Sequence, residues 1–298
     1  MNERIQSDPD KPESGQPESS NTWKLTLAYD GTDFYGWQVQ PGRPTIQGEL
    51  QAALGRVTGE TPLPQGSGRT DAGVHALGQV ASFPLRAPIP PENLHLALNR
   101  TLPPPIRILA AEKARDPAFH ARHSTVAKTY EYRILRAEKC SPFLARYVYT
   151  FSWPLNLPAL YESAHIFMGE HDFCSFAAND PDQAGRTAEG GDELVQRAKA
   201  HAASTVRTIF ASEWQEHDSD EGRLLVYRVR GNGFLHHMVR NLVGTMLDVG
   251  RGRITVDQIR GIFSARNRSE AGPTAPGRGL FLHSVEYAES RTKSASEL

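Results

Sequence analysis

A glycine-rich segment at residues 66–78 contains the side chains best suited to chemistry. Four of its thirteen residues are glycine, and Asp71 lies between Arg69 and His75. Glycine lets the backbone approach a ligand closely or adopt positive φ, so the composition favours a binding loop over a buried element. A nearby guanidinium would keep Asp71 ionised at neutral pH, as a nucleophile or general base requires.

Three other interpretations of this segment stay open from the residues alone. Asp71 could simply cap a turn. It could also act as the base of a hydrolase, with His75 as a proton shuttle. A phosphate-binding loop fits less well, because the segment lacks the Gly-Lys-Ser/Thr ending and the full GxGxxG spacing.

The charges are unevenly distributed, although the formal net charge is only −1. The first 20 residues contribute a net −3, so the remainder of the chain carries +2. Residues 222–247 contain no acidic residue, but they include four arginines and the pair His236 and His237. Such a stretch could neutralise several phosphates and predicts a nucleic-acid surface, with an ordinary solvated strand face as the alternative. The cations outside it with the same predicted role are Arg69, Arg122 and Lys128.

Hydrophobic periodicity predicts the elements that must position these side chains. Alternating apolar residues predict strands near residues 23–29, 79–83, 106–114, 126–135, 205–214, 224–229 and 280–287. Spacings of three and four predict helices near residues 45–60, 91–99, 158–168, 234–249 and 257–263. Thr45 is the expected N-cap of the first helix. This order predicts two α+β halves with antiparallel sheets.

The run GRTDAGVH at residues 68–75 closely resembles the signature of the TruA family of tRNA pseudouridine synthases. The resemblance covers residues 24–287. Its further blocks are YDG at 29–31, FHAR at 119–122, YEY at 130–132, HDF at 171–173, VRTI at 206–209 and GFLHHMVRN at 233–241.

The resemblance implies a reaction and a role for each matching residue. The aspartate matching Asp71 attacks the target nucleoside, and the uracil leaves its glycosidic bond, rotates and rejoins the ribose through carbon, without a cofactor. Arg240 matches the cation that balances this carboxylate. Independently, an arginine on so apolar a helix is expected to pair with an acid. Tyr130 matches a tyrosine that stacks on the target base, and Arg69 matches an arginine that assists extrusion of the nucleotide.

The predicted site therefore contains three catalytic and five substrate-binding residues, with Tyr130 in both groups. The predicted catalytic residues are Asp71, Tyr130 and Arg240. The predicted substrate-binding residues are Arg69, Tyr130, Arg122, Lys128 and His236.

The resemblance also implies the architecture and the partners. It implies two ferredoxin-like or RRM-like halves, at residues 23–125 and 126–288, flanked by helices and with the active cleft between them. The expected substrate is the anticodon stem-loop of tRNA, at uridines 38–40, bound by a homodimer. A non-catalytic RNA-binding protein on the same scaffold is the alternative function.

Several features are expected to be absent. No apolar run approaches the roughly 18 to 20 residues that cross a bilayer, so a cytoplasmic protein without a membrane partner is expected. The spacing of the histidines and of Cys140 and Cys174 matches no standard ligand pattern, so no metal site and no disulfide are expected.

Residues 1–22 and 289–298 are predicted to be disordered tails. The acidic stretch 177–204 reads as a long loop, expected outside the cleft because it would repel RNA.

Overall fold

Ten strands form one continuous sheet in this computed structural model, which describes residues 21–178 and 204–288. The strands are β1 (Asn21–Tyr29), β2 (Gln65–Gly66), β3 (His75–Leu85), β4 (Ile106–Lys113), β5 (Thr125–Arg136), β6 (Tyr149–Thr150), β7 (Gly169–Asp172), β8 (Val206–Ser219), β9 (Gly222–Gly231) and β10 (Leu280–Tyr287). The short strands β2, β6 and β7 were not predicted, because two to four residues carry too little alternation.

The described residues also form five α-helices. They are α1 (Ile46–Thr58), α2 (Pro91–Thr101), α3 (Leu157–Ile166), α4 (Met238–Gly250) and α5 (Gln258–Ala265). The α+β class is confirmed, and so is Thr45 as an N-cap, since its side chain accepts a hydrogen bond from the Gly48 amide. None of the helices in residues 21–178 and 204–288 is long and apolar enough to cross a membrane.

The start of α4 differs from the prediction. The apolar pattern placed it at residue 234, but the helix begins at Met238 because His237 has a left-handed backbone with φ of 57°. A histidine in this conformation is uncommon and interrupts a helix. The residues before it therefore form a turn rather than a first helical turn.

The sheet order is β4-β1-β3-β10-β5-β9-β8-β7, with β2 paired to β3 and β6 paired to β5. The last strand, β10, lies between β3 and β5 and pairs parallel with β3 and antiparallel with β5. The strands from both sides of residue 125 therefore join into one sheet rather than two. This arrangement brings the loop that precedes β3 close to the middle of β5.

The division into halves at residue 125 stays a prediction. β1 begins at Asn21, two residues before the boundary drawn between tail and first half. Residues 1–20, 179–203 and 289–298, which hold most of the expected tails and acidic loop, lie outside the described residues.

Helices pack against the outer strands at both ends of the sheet, and their apolar residues belong to one core. Near α3 and α4, Ser212 donates to the Ala164 carbonyl at 2.7 Å, and the Trp214 indole lies 3.3 Å from the Met246 sulfur. Fully buried residues of β1 and α1, such as Leu25 and Leu50, belong to the same core. Each such side chain contributes about 1.5–3 kcal/mol by leaving water.

Three arginines of the stretch 222–247 do not form the free basic surface expected from the sequence. Arg228 pairs with Glu131 at 2.9 Å, and Arg230 pairs with Glu286 at 2.6 Å. Arg223 pairs with Glu216 at 3.0 Å. Their partners come from β5, from β10 on the far side of β5, and from β8, so the absence of acids within the stretch itself was misleading. Arg228 lies directly opposite Glu131 in the register of β9 and β5. Because side chains alternate along a strand, both lie on the face of the sheet opposite Tyr130.

His75 fastens the start of β3 to three other segments. Its Nδ1 accepts a hydrogen bond from the Gly31 amide at 3.1 Å, and its Nε2 lies 3.0 Å and 3.1 Å from the carbonyl oxygens of Arg146 and Arg278. Since carbonyls only accept, Nε2 carries the hydrogen and the ring is neutral. Burial lowers the pKa of His75, and this outweighs the opposing effect of Asp30.

We expect His75→Gln to lower the free energy of unfolding by about 2 kcal/mol at pH 7.5, because a flexible amide does not reproduce the hydrogen bonds of the ring to Gly31, Arg146 and Arg278. Since the folded pKa lies below the unfolded value of about 6.5, acidification from pH 7.5 to 5.5 should destabilise the wild type, and the variant should lose this part of the dependence. Urea unfolding at both pH values measures both effects. The exposed His217→Gln variant is the control. Equal acid sensitivity in wild type and His75→Gln would contradict the assignment.

Candidate active site

Asp71 lies on the loop between β2 and β3, which is fastened to the segment before α1. The Trp37 amide donates to the Thr70 carbonyl at 3.0 Å. The two segments approach so closely that a Cβ on Gly36 would meet the Thr70 oxygen at 2.5 Å, and Gly36 has φ of 85°. Only glycine tolerates both conditions. The local glycines therefore set the position of the Asp71 backbone.

A buried polar network holds the same loop from beneath. The fully buried Gln79 accepts from the Ser67 hydroxyl at 2.7 Å and donates to the Gly68 carbonyl at 2.9 Å. The hydroxyl groups of Tyr29 and Thr70 lie 2.9 Å apart. Sequence reasoning missed Gln79 and Tyr29, although a glutamine within an apolar strand is a signal, since a buried amide needs partners.

The Asp71 carboxylate is paired with Arg240, as expected from the sequence. Arg240 Nη1 donates to Asp71 Oδ2 at 2.8 Å, and only 15% of the Arg240 side chain and 22% of the Asp71 side chain are exposed. Arg240 Nε also donates to the Ala275 carbonyl at 2.7 Å, and the Ala275 amide donates back to the Arg240 carbonyl at 3.1 Å. The guanidinium is therefore fixed from two sides.

Two histidines complete the surroundings of the carboxylate. His236 Nε2 lies 3.5 Å and His237 Nε2 lies 3.3 Å from the Asp71 oxygens. Burial alone would raise the pKa of the Asp71 carboxyl, but the two histidines and Arg240 outweigh it and hold this pKa below its usual value. Burial lowers the pKa of His237, so Arg240 is the permanent counter-charge at neutral pH. Asp71 is consequently ionised.

The same three side chains have the donor set of a metal site. Ligand atoms of Asp71, His236 and His237 all lie within 4.8 Å of one another, the one such group among the described residues. Arg240 already neutralises the carboxylate at 2.8 Å. A cation would have to compete with this guanidinium and be repelled by it. The arrangement therefore suits an anionic nucleophile better than a metal ion.

Asp71 faces an open cleft of about 480 Å³. The cleft is lined by every residue predicted to bind substrate, namely Arg69, Arg122, Lys128, Tyr130 and His236. The ring of Tyr130 meets that of Phe234 edge-on, with the ring centres 5.0 Å apart. Burial raises the pKa of Tyr130, so its phenol stays protonated. His75 does not line the cleft, and its ring nitrogens bond to backbone, which leaves it unsuited to shuttling protons for Asp71.

An ionised carboxylate with a fixed counter-charge, set in a cleft lined by cations, is typical of an enzyme that acts on a polyanion. A family model described as tRNA pseudouridine synthase matches residues 26–124 and 164–288 of the chain. The chain belongs to the tRNA pseudouridine synthase family.

Individual relatives agree with this assignment over nearly their whole length. A protein named tRNA pseudouridine synthase A from Solibacter usitatus is 51% identical over 264 residues, which cover 89% of this chain and 98% of the relative. Proteins of the same name from Moorella thermoacetica and Bacillus subtilis are 44% and 41% identical, each over 89% of this chain and 98% of the relative.

Gly244, one turn after Arg240 on α4, offers a test of how Arg240 is positioned. A Cβ there would meet the Pro273 carbonyl oxygen at 1.6 Å. Gly244→Ala must therefore displace the segment that carries Ala275, and we expect a loss of about 2 kcal/mol or more in unfolding free energy. Urea unfolding measures this loss.

The matched control is Gly261→Ala on α5, where a Cβ meets no atom within 4 Å. Alanine should stabilise that helix by about 0.5–1 kcal/mol. If both variants were equally stable, the close packing of segment 272–276 against α4 would be wrong.

Proposed function

We propose that this protein isomerises uridine to pseudouridine in tRNA, at positions 38–40 of the anticodon stem-loop. The observation that carries the proposal is the Asp71–Arg240 ion pair at 2.8 Å, facing a cleft lined by cations in a chain of this family. The relatives are named for the same activity, which does not favour a non-catalytic RNA-binding protein.

The chemistry assigns one role to each side chain in the cleft. Asp71 attacks the target nucleoside as the ionised carboxylate. The bond between N1 of uracil and C1′ of ribose breaks, the freed base rotates, and C5 forms the new bond to C1′. The bond between Asp71 and the nucleoside then breaks, which restores the free carboxylate. The proton leaves C5 to solvent and N1 gains one, so no oxidant, reductant or cofactor is consumed. Arg240 keeps Asp71 ionised before the attack and holds its side chain in place.

Tyr130 and the cationic side chains act on substrate position. The Tyr130 ring, held edge-on against Phe234, offers a face on which the extruded base stacks. Arg69 assists extrusion of the nucleotide from its stem, since the reacting atom is out of reach inside a helix. Arg122, Lys128 and His236 contact the RNA backbone, which fits recognition by shape and charge more than by base sequence. The protein acts in the cytoplasm as a homodimer, with one tRNA contacting both subunits.

Asp71→Asn should abolish isomerisation while tRNA affinity changes little. Tritium release from unmodified tRNA labelled at uridine C5 measures the reaction, because neither binding nor hydrolysis removes the C5 hydrogen. Asp33→Asn is the control, since that exposed carboxylate pairs with Arg146. Turnover of Asp71→Asn within about tenfold of wild type, a barrier change of only ~1.4 kcal/mol, would refute the role of Asp71. A wild type that binds tRNA without releasing tritium would refute the proposed function.

A further inference from the structure

Lys128 occupies an unusual place beside the catalytic loop. It lies on β5 two residues before Tyr130, on the same face of the sheet, and lines the cleft. Its ammonium donates to the Ser67 carbonyl at 2.5 Å. A Cβ on Gly68 would meet this ammonium at 2.9 Å, so the loop glycine makes room for it. Two of the three ammonium hydrogens are left for other acceptors.

Among the described residues, the charges that act on Lys128 are those of Arg122 and Arg207, which are both cations. Arg122 comes from the turn before β5 and lines the same cleft, and Arg207 comes from β8 and is only 6% exposed. From β9, the residue opposite Lys128 is Gly231, which brings no charge. Among the described residues no carboxylate lies within ion-pair distance of the Lys128 ammonium. Further along the loop, Arg69 and Asp71 also line the cleft.

A half-buried ammonium close to two guanidinium groups is costly in the free protein. Burial and the charges of Arg122 and Arg207 lower the pKa of Lys128 to about 7. Burial and Arg122 also lower the pKa of Arg207. Bringing an anion to this place would relieve the repulsion between like charges. The geometry therefore favours a ligand with permanent negative charge and several acceptor oxygens, which are the properties of a phosphodiester.

We propose that Lys128 and Arg122 bind a backbone phosphodiester of the RNA next to the target nucleotide, and that RNA binding takes up a proton at Lys128. This inference rests on the proposed function for the identity of the RNA. It adds a protonation step to binding that the isomerisation itself does not require.

The proposal has a thermodynamic consequence for affinity. The phosphodiester raises the pKa of Lys128 in the complex, so above pH 7 the free protein loses a proton that the complex keeps. Affinity then falls as pH rises, by up to about tenfold per pH unit. The nearby His120 and His123 do not produce this slope, because burial lowers the pKa of both, to about 4 for His120.

The test is tRNA binding by fluorescence anisotropy at constant ionic strength between pH 6.5 and 8.5. We expect wild-type affinity to fall about tenfold or more from pH 7 to pH 8.5, and Lys128→Arg to show little change, since a guanidinium does not titrate there. Lys128→Met should bind weakly already at pH 6.5 and show no slope. Lys24→Arg is the control, because Lys24 on β1 pairs with Glu112 on β4, and it should retain the wild-type slope. An equal slope in wild type and Lys128→Arg would overturn the proposal.

Calorimetry on the wild-type protein gives a second measurement, which does not depend on whether a variant folds. Binding at pH 7.5 in two buffers of different ionisation enthalpy should reveal uptake of roughly 0.8 proton per tRNA, from a group with a free pKa near 7. Uptake near zero would overturn the proposal. Tritium release distinguishes failure of this proposal from failure of the proposed function. If the protein isomerises uridine but takes up no proton on binding, the function holds and the role of Lys128 is wrong. If it takes up a proton on binding but does not isomerise uridine, the proposed function is wrong.

Discussion

The ion pair between Asp71 and Arg240 is the interaction on which the rest of the structure depends. The two residues are 169 positions apart in the sequence, and their side chains meet at 2.8 Å. A partly buried carboxylate without a counter-charge is costly, and so is a guanidinium on an otherwise apolar helix. Each charge can be buried only because the fold places the other beside it. The elements around the cleft hold the two side chains in this position.

Two kinds of contact bring the partners together. On the Asp71 side, Gly36 lets the loop approach Trp37, and Gln79 fixes the loop carbonyls from beneath. On the Arg240 side, Gly244 lets segment 272–276 press against α4, so that Ala275 bonds to Arg240 twice. After one short 3-10 turn at Gly277–Gly279, the chain continues into β10, which inserts between β3 and β5. Residues 272–287 thus both position Arg240 and connect β3 to β5 within the sheet.

Local patterns predicted the long elements well, and nonlocal contacts explain where they did not. The alternation in β5 and β10 and the cap at Thr45 are properties of neighbouring residues, so they can be read from sequence. The left-handed backbone of His237, which delays the start of α4, is not encoded in an apolar pattern. Likewise, the sequence predicted that Arg228 and Arg230 bind phosphates, but in the fold they pair with Glu131 and Glu286 from other strands. The apolar helix predicted that Arg240 would pair with an acid, and the family resemblance implied that this acid is Asp71. The hydrogen bonds of His75 could not be predicted in this way, because they depend on carbonyl groups from remote loops.

The most direct test of this account is the protonation state of Asp71 itself. Carbon-13 NMR of the carboxyl group, in protein labelled at aspartate and assigned with Asp71→Asn, would follow its titration in the free enzyme. We predict a pKa below the usual value of about 3.9, and a rise when Arg240 is replaced by leucine. A carboxyl that titrates at or above 3.9 in the wild type, or that does not respond to loss of Arg240, would contradict the claim that this ion pair holds the carboxylate ready for attack.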